Sequence, residues 1–191
     1  GGNDDEARAS QSLVYLSLGR LADGFAHYDC RFGADPTSPR RDYPQPHWDG
    51  GRVPGTLLIW GGQGLGDQIL YASMLADATG HAERVVAEVE PRLVPLFCRS
   101  FPKVEVRPIG RELQADDIAA HCAIGSLGRH LRKQEPLATA TSAFLTADAG
   151  RPAVLRPRLA ADGPRVPALS WARRNRKYEP APSAQHVDFA P

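Results

Sequence analysis

Apolar positions recur at helical spacing over residues 4–19, at Ala9, Leu13, Leu16 and Leu18, with Val14 and Tyr15 widening the stripe. Gly19 then stands where a helix end needs a residue that accepts left-handed backbone. The period restarts at Leu21 and runs through Phe25, Tyr28 and Phe32, so the spacing predicts two helices joined by a tight turn into an antiparallel hairpin. Residues 33–55 break the pattern with five prolines and four glycines, and they read as loop. Within them the Trp of P-H-W-D-G (46–50) is expected to plug an apolar gap.

A continuous apolar run, Thr56–Trp60, follows, as in a strand covered on both faces. After a glycine-rich stretch, Ile69, Leu70, Ala72, Ser73, Leu75 and Ala76 predict a helix to about Thr79. Strands are then expected at Arg84–Val89, Val104–Arg107 and Asp117–Ile124, with a helix between Pro91 and Ser100. Residues 125–150 read as irregular with room for one helical turn, 152–160 as a weak helix, and Arg165–Trp171 as a last strand. Strands alternating with helices imply a parallel sheet with right-handed crossovers. The expected fold class is α/β: a Rossmann-like parallel sheet from residue 56, preceded by the helical hairpin.

Composition narrows the function classes. The net charge of +1 over 191 residues implies no polyanion partner, and nucleic acid is not expected. Charge is uneven, however: residues 1–50 carry 8 acids and 5 bases, and residues 151–191 carry 3 acids and 8 bases. Such a basic tail reads first as solvated surface. Cys30, Cys98 and Cys122 are far apart and have neither C-x-x-C nor zinc spacing, so free thiols in a reducing, cytoplasmic compartment are expected. No apolar run approaches the ~20 residues that span a bilayer. The acidic start (Asp4, Asp5, Glu6) is unlike a signal peptide. The chain opens on Gly-Gly, and its only methionine is Met74, so a fragment of a longer protein is expected.

The chemistry concentrates at Gly61–Asp67, which holds four glycines in six residues and then an aspartate. Gly61 and Gly66 have P-loop spacing, but Asp67 occupies the place of the lysine and would repel phosphates. Gly62 and Gly64 begin a G-x-G-x-x-G, but Asp67 stands at the third glycine. Glu88 and Glu90 lie near the distance of a ribose-binding acid, which keeps a dinucleotide oxidoreductase as an alternative. The third reading makes Asp67 the point of the motif, projecting from a first helical turn into the cleft above the strands. Against it stands Asp67 as a helix N-terminal residue that satisfies free N–H groups.

The runs L-G-R-L-A-D-G-F-A-H-Y-D-C-R-F, P-H-W-D-G, T-L-L-I-W-G-G-Q-G-L-G-D-Q-I, D-D-I-A-A-H-C-A-I-G-S-L and V-P-A-L-S-W-A-R-R-N-R-K occur in that order. Together they resemble bacterial tetratricopeptide-repeat proteins that carry a GT-B glycosyltransferase-like domain, related to heptosyltransferases and more distantly to O-linked N-acetylglucosamine transferases. Gly62 stands where that family's loop has a glutamate, and Cys30 and Phe32 match its repeat ending loosely.

The resemblance implies four segments: a repeat-like hairpin over 1–33, a linker over 34–55, the acceptor-side Rossmann-like half over 56–160, and the start of a donor-binding half over 161–191. It implies sugar transfer from a nucleotide sugar to a hydroxyl of a protein or glycan acceptor, without a metal or other cofactor. Asp67 would be the base. Because a helix N-terminus favours the ionised carboxylate, orienting the hydroxyl and stabilising positive charge on the sugar stand beside proton transfer. His121 would share the cleft or else be a satisfied core residue. Gly62, Gln63, Gly64 and Gly66 would shape the substrate turn. Ser170 and Lys177, beside Arg173, Arg174 and Arg176, would meet the donor diphosphate. With the donor half incomplete, this chain alone is expected to transfer little or no sugar. The alternative is a non-catalytic interaction module, in which the hairpin docks a protein partner and the α/β part is scaffold.

Overall fold

A computed structural model describes residues 2–34, 40–62, 64–110, 117–133 and 143–151, with 153 and 157. Gly1–Ala147 forms one compact unit and Asp148–Pro191 another. The expected strand at 165–171 lies outside the described residues. Of the expected helix at 152–160, residues 153 and 157 are described, and both are helical.

The hairpin expected from the helical spacing is present. Helix α1 (Gly2–Ser17) turns at Gly19, whose φ of 76° is left-handed, into α2 (Leu21–His27). The two helices touch closely because Gly24 has no side chain: a Cβ there would lie 2.6 Å from the Leu16 side chain. The buried Ser12 hydroxyl donates to the Gly24 carbonyl at 2.8 Å beside this contact. A 3-10 turn (Tyr28–Cys30) and a short α3 (Arg31–Ala34) continue the second arm.

Four parallel strands follow: β1 (Val53–Trp60), β2 (Ala82–Val89), β3 (Glu105–Pro108) and β4 (Ala120–Ala123). Their spatial order is β3-β2-β1-β4. The α/β class and parallel sheet expected from the sequence are therefore present. Central β1 is covered on both faces, which is why its sequence is an unbroken apolar run. The strand starts earlier than its apolar run, at Val53, because Pro54 and Gly55 (φ 117°) form an irregularity in the register with β2 and pairing resumes at Thr56.

One face of the sheet carries Leu57, Ile59, Val85, Ala87 and Cys122. Against it pack α4 (Leu65–Ala72), α5 (Leu75–Ala78) and α6 (Val94–Ser100), together with Phe25 and Tyr28 from the hairpin. The hairpin thus shares the core of the sheet. The helix expected to run unbroken to Thr79 is interrupted after Ala72, and its two pieces bury Tyr71, Ala72 and Leu75. The opposite face carries Leu58, Trp60 and Val86, with Ile118, Phe32 and Tyr43 packed on them. After β4 come a 3-10 turn (Ile124–Leu127) and the short α7 (Gly128–Leu131), within the stretch read as irregular with room for one helical turn.

The loop before β1 is anchored as its composition suggests. Trp48 is buried, and its indole N–H donates to the Gly51 carbonyl at 2.8 Å. Its backbone does more: the Trp48 N–H donates to the His121 carbonyl at 2.8 Å, and the His121 N–H donates to the Pro46 carbonyl at 3.1 Å. Residues 46–48 therefore run along the free edge of β4. Cys30, Cys98 and Cys122 are all free thiols. Among the described residues, no helix is long and apolar enough to cross a membrane.

Candidate functional site

Glycine turn and cleft both lie at the carboxyl ends of the strands. The chain leaves β1 to pair with β2 on one side and, later, with β4 on the other, so the β1/β4 boundary is the topological switch point. Open α/β sheets leave a crevice at that place.

At the turn, Gly61 and Gly62 are favoured by close approach and not by left-handed backbone, since neither has positive φ. A Cβ on Gly61 would lie 2.7 Å from the Gln68 side chain, and one on Gly62 would lie 2.8 Å from the Trp60 ring. Gln68 is buried, and its Oε1 accepts from the Glu90 N–H at 2.9 Å, which ties α4 to the end of β2. Gly64 is the N-cap of α4 in extended backbone, and Asp67 lies in the first turn. The Asp67 carboxylate folds back toward Gly64, where a Cβ would lie 3.3 Å from Oδ2. Gly66 differs: a Cβ there would meet nothing within 4 Å. Gln63 lies outside the described residues, as do Ser170 and Lys177.

His121 is the second residue of β4, in register with Leu58. Its side chain therefore shares the Leu58 and Trp60 face, whereas α4 and Asp67 lie on the other side of the sheet. The fold does not bring these two expected catalytic residues together. His121 is 1% exposed, and its Nδ1 accepts from the Trp60 indole N–H at 3.2 Å. Tyr43 and His47 flank it, with ring centroids 4.9 Å and 4.2 Å away. Burial, reinforced by His47, pushes its imidazole down to about 4 despite the hydrogen bond it donates to the Gln45 backbone. It is a neutral, packed histidine at neutral pH.

On the His121 side of the switch point lies a cleft of about 420 Å³. Trp60, His121 and Ala123 form its sheet wall, while Asp29 and Phe32 reach it from the end of the hairpin. Arg40, His47, Asp49, Ser126, Arg129 and His130 complete its polar lining. Asp29 is held in place: its Oδ1 accepts from the Ser126 hydroxyl and, at 2.8 Å, from Arg31 Nη1. Arg31 is itself buried, donates to Ser126 Oγ at 3.1 Å and to the Tyr28 carbonyl at 2.9 Å, and lies over the Tyr28 and Phe32 rings. Arg129 stands farther from Asp29, at 3.8 Å. Burial, then Lys133 and Arg129, lowers the His130 imidazole.

Tyr71 on α4 donates its hydroxyl to that of Tyr28 at 2.6 Å, and the Tyr28 backbone carbonyl accepts from Arg31, which also bonds Ser126 and Asp29. Burial raises the Tyr71 hydroxyl far above its usual range, so it stays protonated. Sequence pattern alone misses Asp29, Arg31, Ser126 and Arg129, because 97 positions separate Asp29 from Ser126 and neither lies in a spaced motif. The sequence signal closest to them is D-C-R at the hairpin's end.

Glu88 is not open to a ribose. Its carboxylate pairs with Arg41 at 2.7 Å and with Arg107 at 3.4 Å, and Arg41 also donates to the Gly61 carbonyl at 3.2 Å. Glu90 pairs with Arg92. Among the described residues no His, Cys, Asp and Glu cluster is suited to a metal ion.

Against known proteins, Protein FlbA of Caulobacter vibrioides (strain ATCC 19089 / CIP 103742 / CB 15) is 35% identical over 197 residues. That alignment covers 90% of this chain but 33% of FlbA, so the chain spans about a third of that relative's length. No family model matches the chain. No solved structure matches it either.

Proposed function

We propose that this chain is the acceptor-side, Rossmann-like half of a GT-B glycosyltransferase whose repeat-like hairpin is packed onto it. In this reading the longer protein transfers a sugar from a nucleotide sugar to a hydroxyl of a protein or glycan, acts in the cytoplasm, and uses no metal. The observation that carries the reading is Asp67. It sits in the first turn of α4, after a glycine turn at the carboxyl end of the central parallel strand. There a carboxylate orients an acceptor hydroxyl and takes up its proton as the sugar transfers. Gly66 leaves open space beside it, which suits close approach of a substrate. Gly62 and Gly64 support the turn through their contacts with Trp60 and Asp67.

The test is an Asp67→Ala variant of the full-length protein, assayed for transfer of a radiolabelled sugar from a panel of nucleotide sugars. Transfer is expected to fall at least about tenfold with the melting temperature retained. Undiminished transfer by the variant removes Asp67 from the mechanism.

A second reading, a protein-interaction module, draws on α1. Leu13 and Val14 are 58% and 55% exposed there, and Leu18 in the turn that follows is 68% exposed, an apolar patch suited to a helical neighbour or protein partner. Under that reading Asp67→Ala leaves every measured property unchanged.

A further inference from the structure

We propose that the cleft at the β1/β4 switch point is a binding site, separate from the Asp67 turn, for a small hydroxylated ring compound bearing one anionic group: a sugar phosphate or a sugar acid. The inference stands apart from the transferase reading, because Asp67 does not line this cleft.

The charges on the lining define the ligand. Arg40 and Arg129 are both exposed at its mouth. Among the described residues, the acid paired with Arg129 is Asp29, at a loose 3.8 Å. Asp29 is already compensated by Arg31 at 2.8 Å and by the Ser126 hydroxyl, so Arg129 is not needed to neutralise it. Two exposed guanidiniums on one cleft fit a phosphate or carboxylate.

Anion binding alone does not explain the rest of the lining. Two carboxylates, Asp29 and Asp49, also face the cleft. A bare anion would be repelled by both. A ligand that also carries hydroxyl groups donates to them instead, as it can to the imidazole of His47. Phe32 is half-buried on the cleft and carries the Arg40 guanidinium 5.2 Å from its ring centroid, which places that cation at the lining. The volume of about 420 Å³ lies within the range of small-molecule sites.

The fold supports such a site with rigid parts. Phe32 and Asp29 come from the end of the hairpin, Ser126 follows β4, and Arg31 bonds the two segments together from beneath. The site therefore exists only when the hairpin is docked on the sheet.

The experiment is calorimetric titration of the 191-residue chain with glucose 6-phosphate, glucuronate, glucose and inorganic phosphate. Saturable binding is expected for one of the two anionic sugars, with glucose and phosphate each weaker by at least about tenfold. Preference for glucose 6-phosphate or for glucuronate assigns the anion as phosphate or carboxylate. Arg129→Ala is expected to weaken binding about tenfold at unchanged melting temperature, and Arg40→Ala to weaken it as well. Arg92→Ala, a charge-matched change at the end of β2, leaves affinity unaltered. The proposal fails if neither anionic sugar binds, if inorganic phosphate binds as tightly as the sugar phosphate, or if Arg92→Ala weakens binding as much as Arg129→Ala.

Discussion

His121 titrates far below an exposed imidazole because its charged form would lose hydration and face the Trp60 N–H donor and His47. Its folded value of about 4 lies below the unfolded value of about 6.5. Between these limits the unfolded chain binds the proton and the folded chain does not, so stability rises with pH. The contribution is complete above about pH 6.5 and is lost as pH falls toward 4, to the extent of about 3 kcal/mol. Urea denaturation at pH 7 and pH 4.5 should reveal this dependence, and His121→Gln should flatten it. An unchanged pH slope in that variant would sink the assignment. Gly66 poses a second question at this scale. Its added Cβ meets nothing and its backbone is not left-handed, so packing does not demand a glycine. Gly66→Ala is expected to raise stability by about 0.5 kcal/mol through helix propensity. A simultaneous loss of transfer by the full-length variant would mark the glycine as kept for a ligand. Asp67 and the glycines stand out in the sequence because they are adjacent. Asp29, Arg31 and Ser126 do not, because their bonding depends on how the hairpin meets the turn after β4.

The elements themselves follow local rules closely. Gly19 ends α1 in left-handed backbone, the valines of 84–89 form β2, and Pro91 opens a 3-10 turn that leads into α6. The departures have contact explanations. α4 and α5 read as one helix in the hydrophobic pattern, yet Ser73 and Met74 separate them in the structure. The segment after β4 lacks an amphipathic period because Ile124, Gly125, Ser126, Leu127 and Gly128 are all buried, so no polar face alternates with an apolar one. Gly128 lets α7 approach the hairpin. A Cβ there would lie 2.3–2.4 Å from the Phe25 ring. Gly128→Ala therefore forces Phe25 or the turn to shift, at an expected cost of about 2 kcal/mol. Its thermal melt should move several degrees lower, and Phe25→Leu in the same chain should restore part of the loss, which a purely local backbone effect would not allow.

At the scale of the molecule, the parallel sheet and its helices are those of a Rossmann-like α/β domain, and the alignment with FlbA runs through 90% of the chain while covering 33% of that protein. The transferase proposal accordingly concerns a longer protein, and sugar transfer by full-length Asp67 variants is its proper measure. The sequence by itself determined the hairpin, the strand order in time, the glycine turn and the position of Asp67 at a helix start. Each of these depends on residues close in the chain, whose periodicity and backbone preferences act locally. The tertiary structure alone decided which residues share a site. Strand alternation set His121 on the Leu58 and Trp60 face of the sheet, whereas α4, which carries Asp67, packs on the other face. The pairing order β3-β2-β1-β4 placed the crevice beside Trp60 and Ala123. Docking of the hairpin then brought Asp29 and Arg31 to Ser126, because burying Phe25 and Tyr28 against Tyr71 and Leu127 fixes where the hairpin ends.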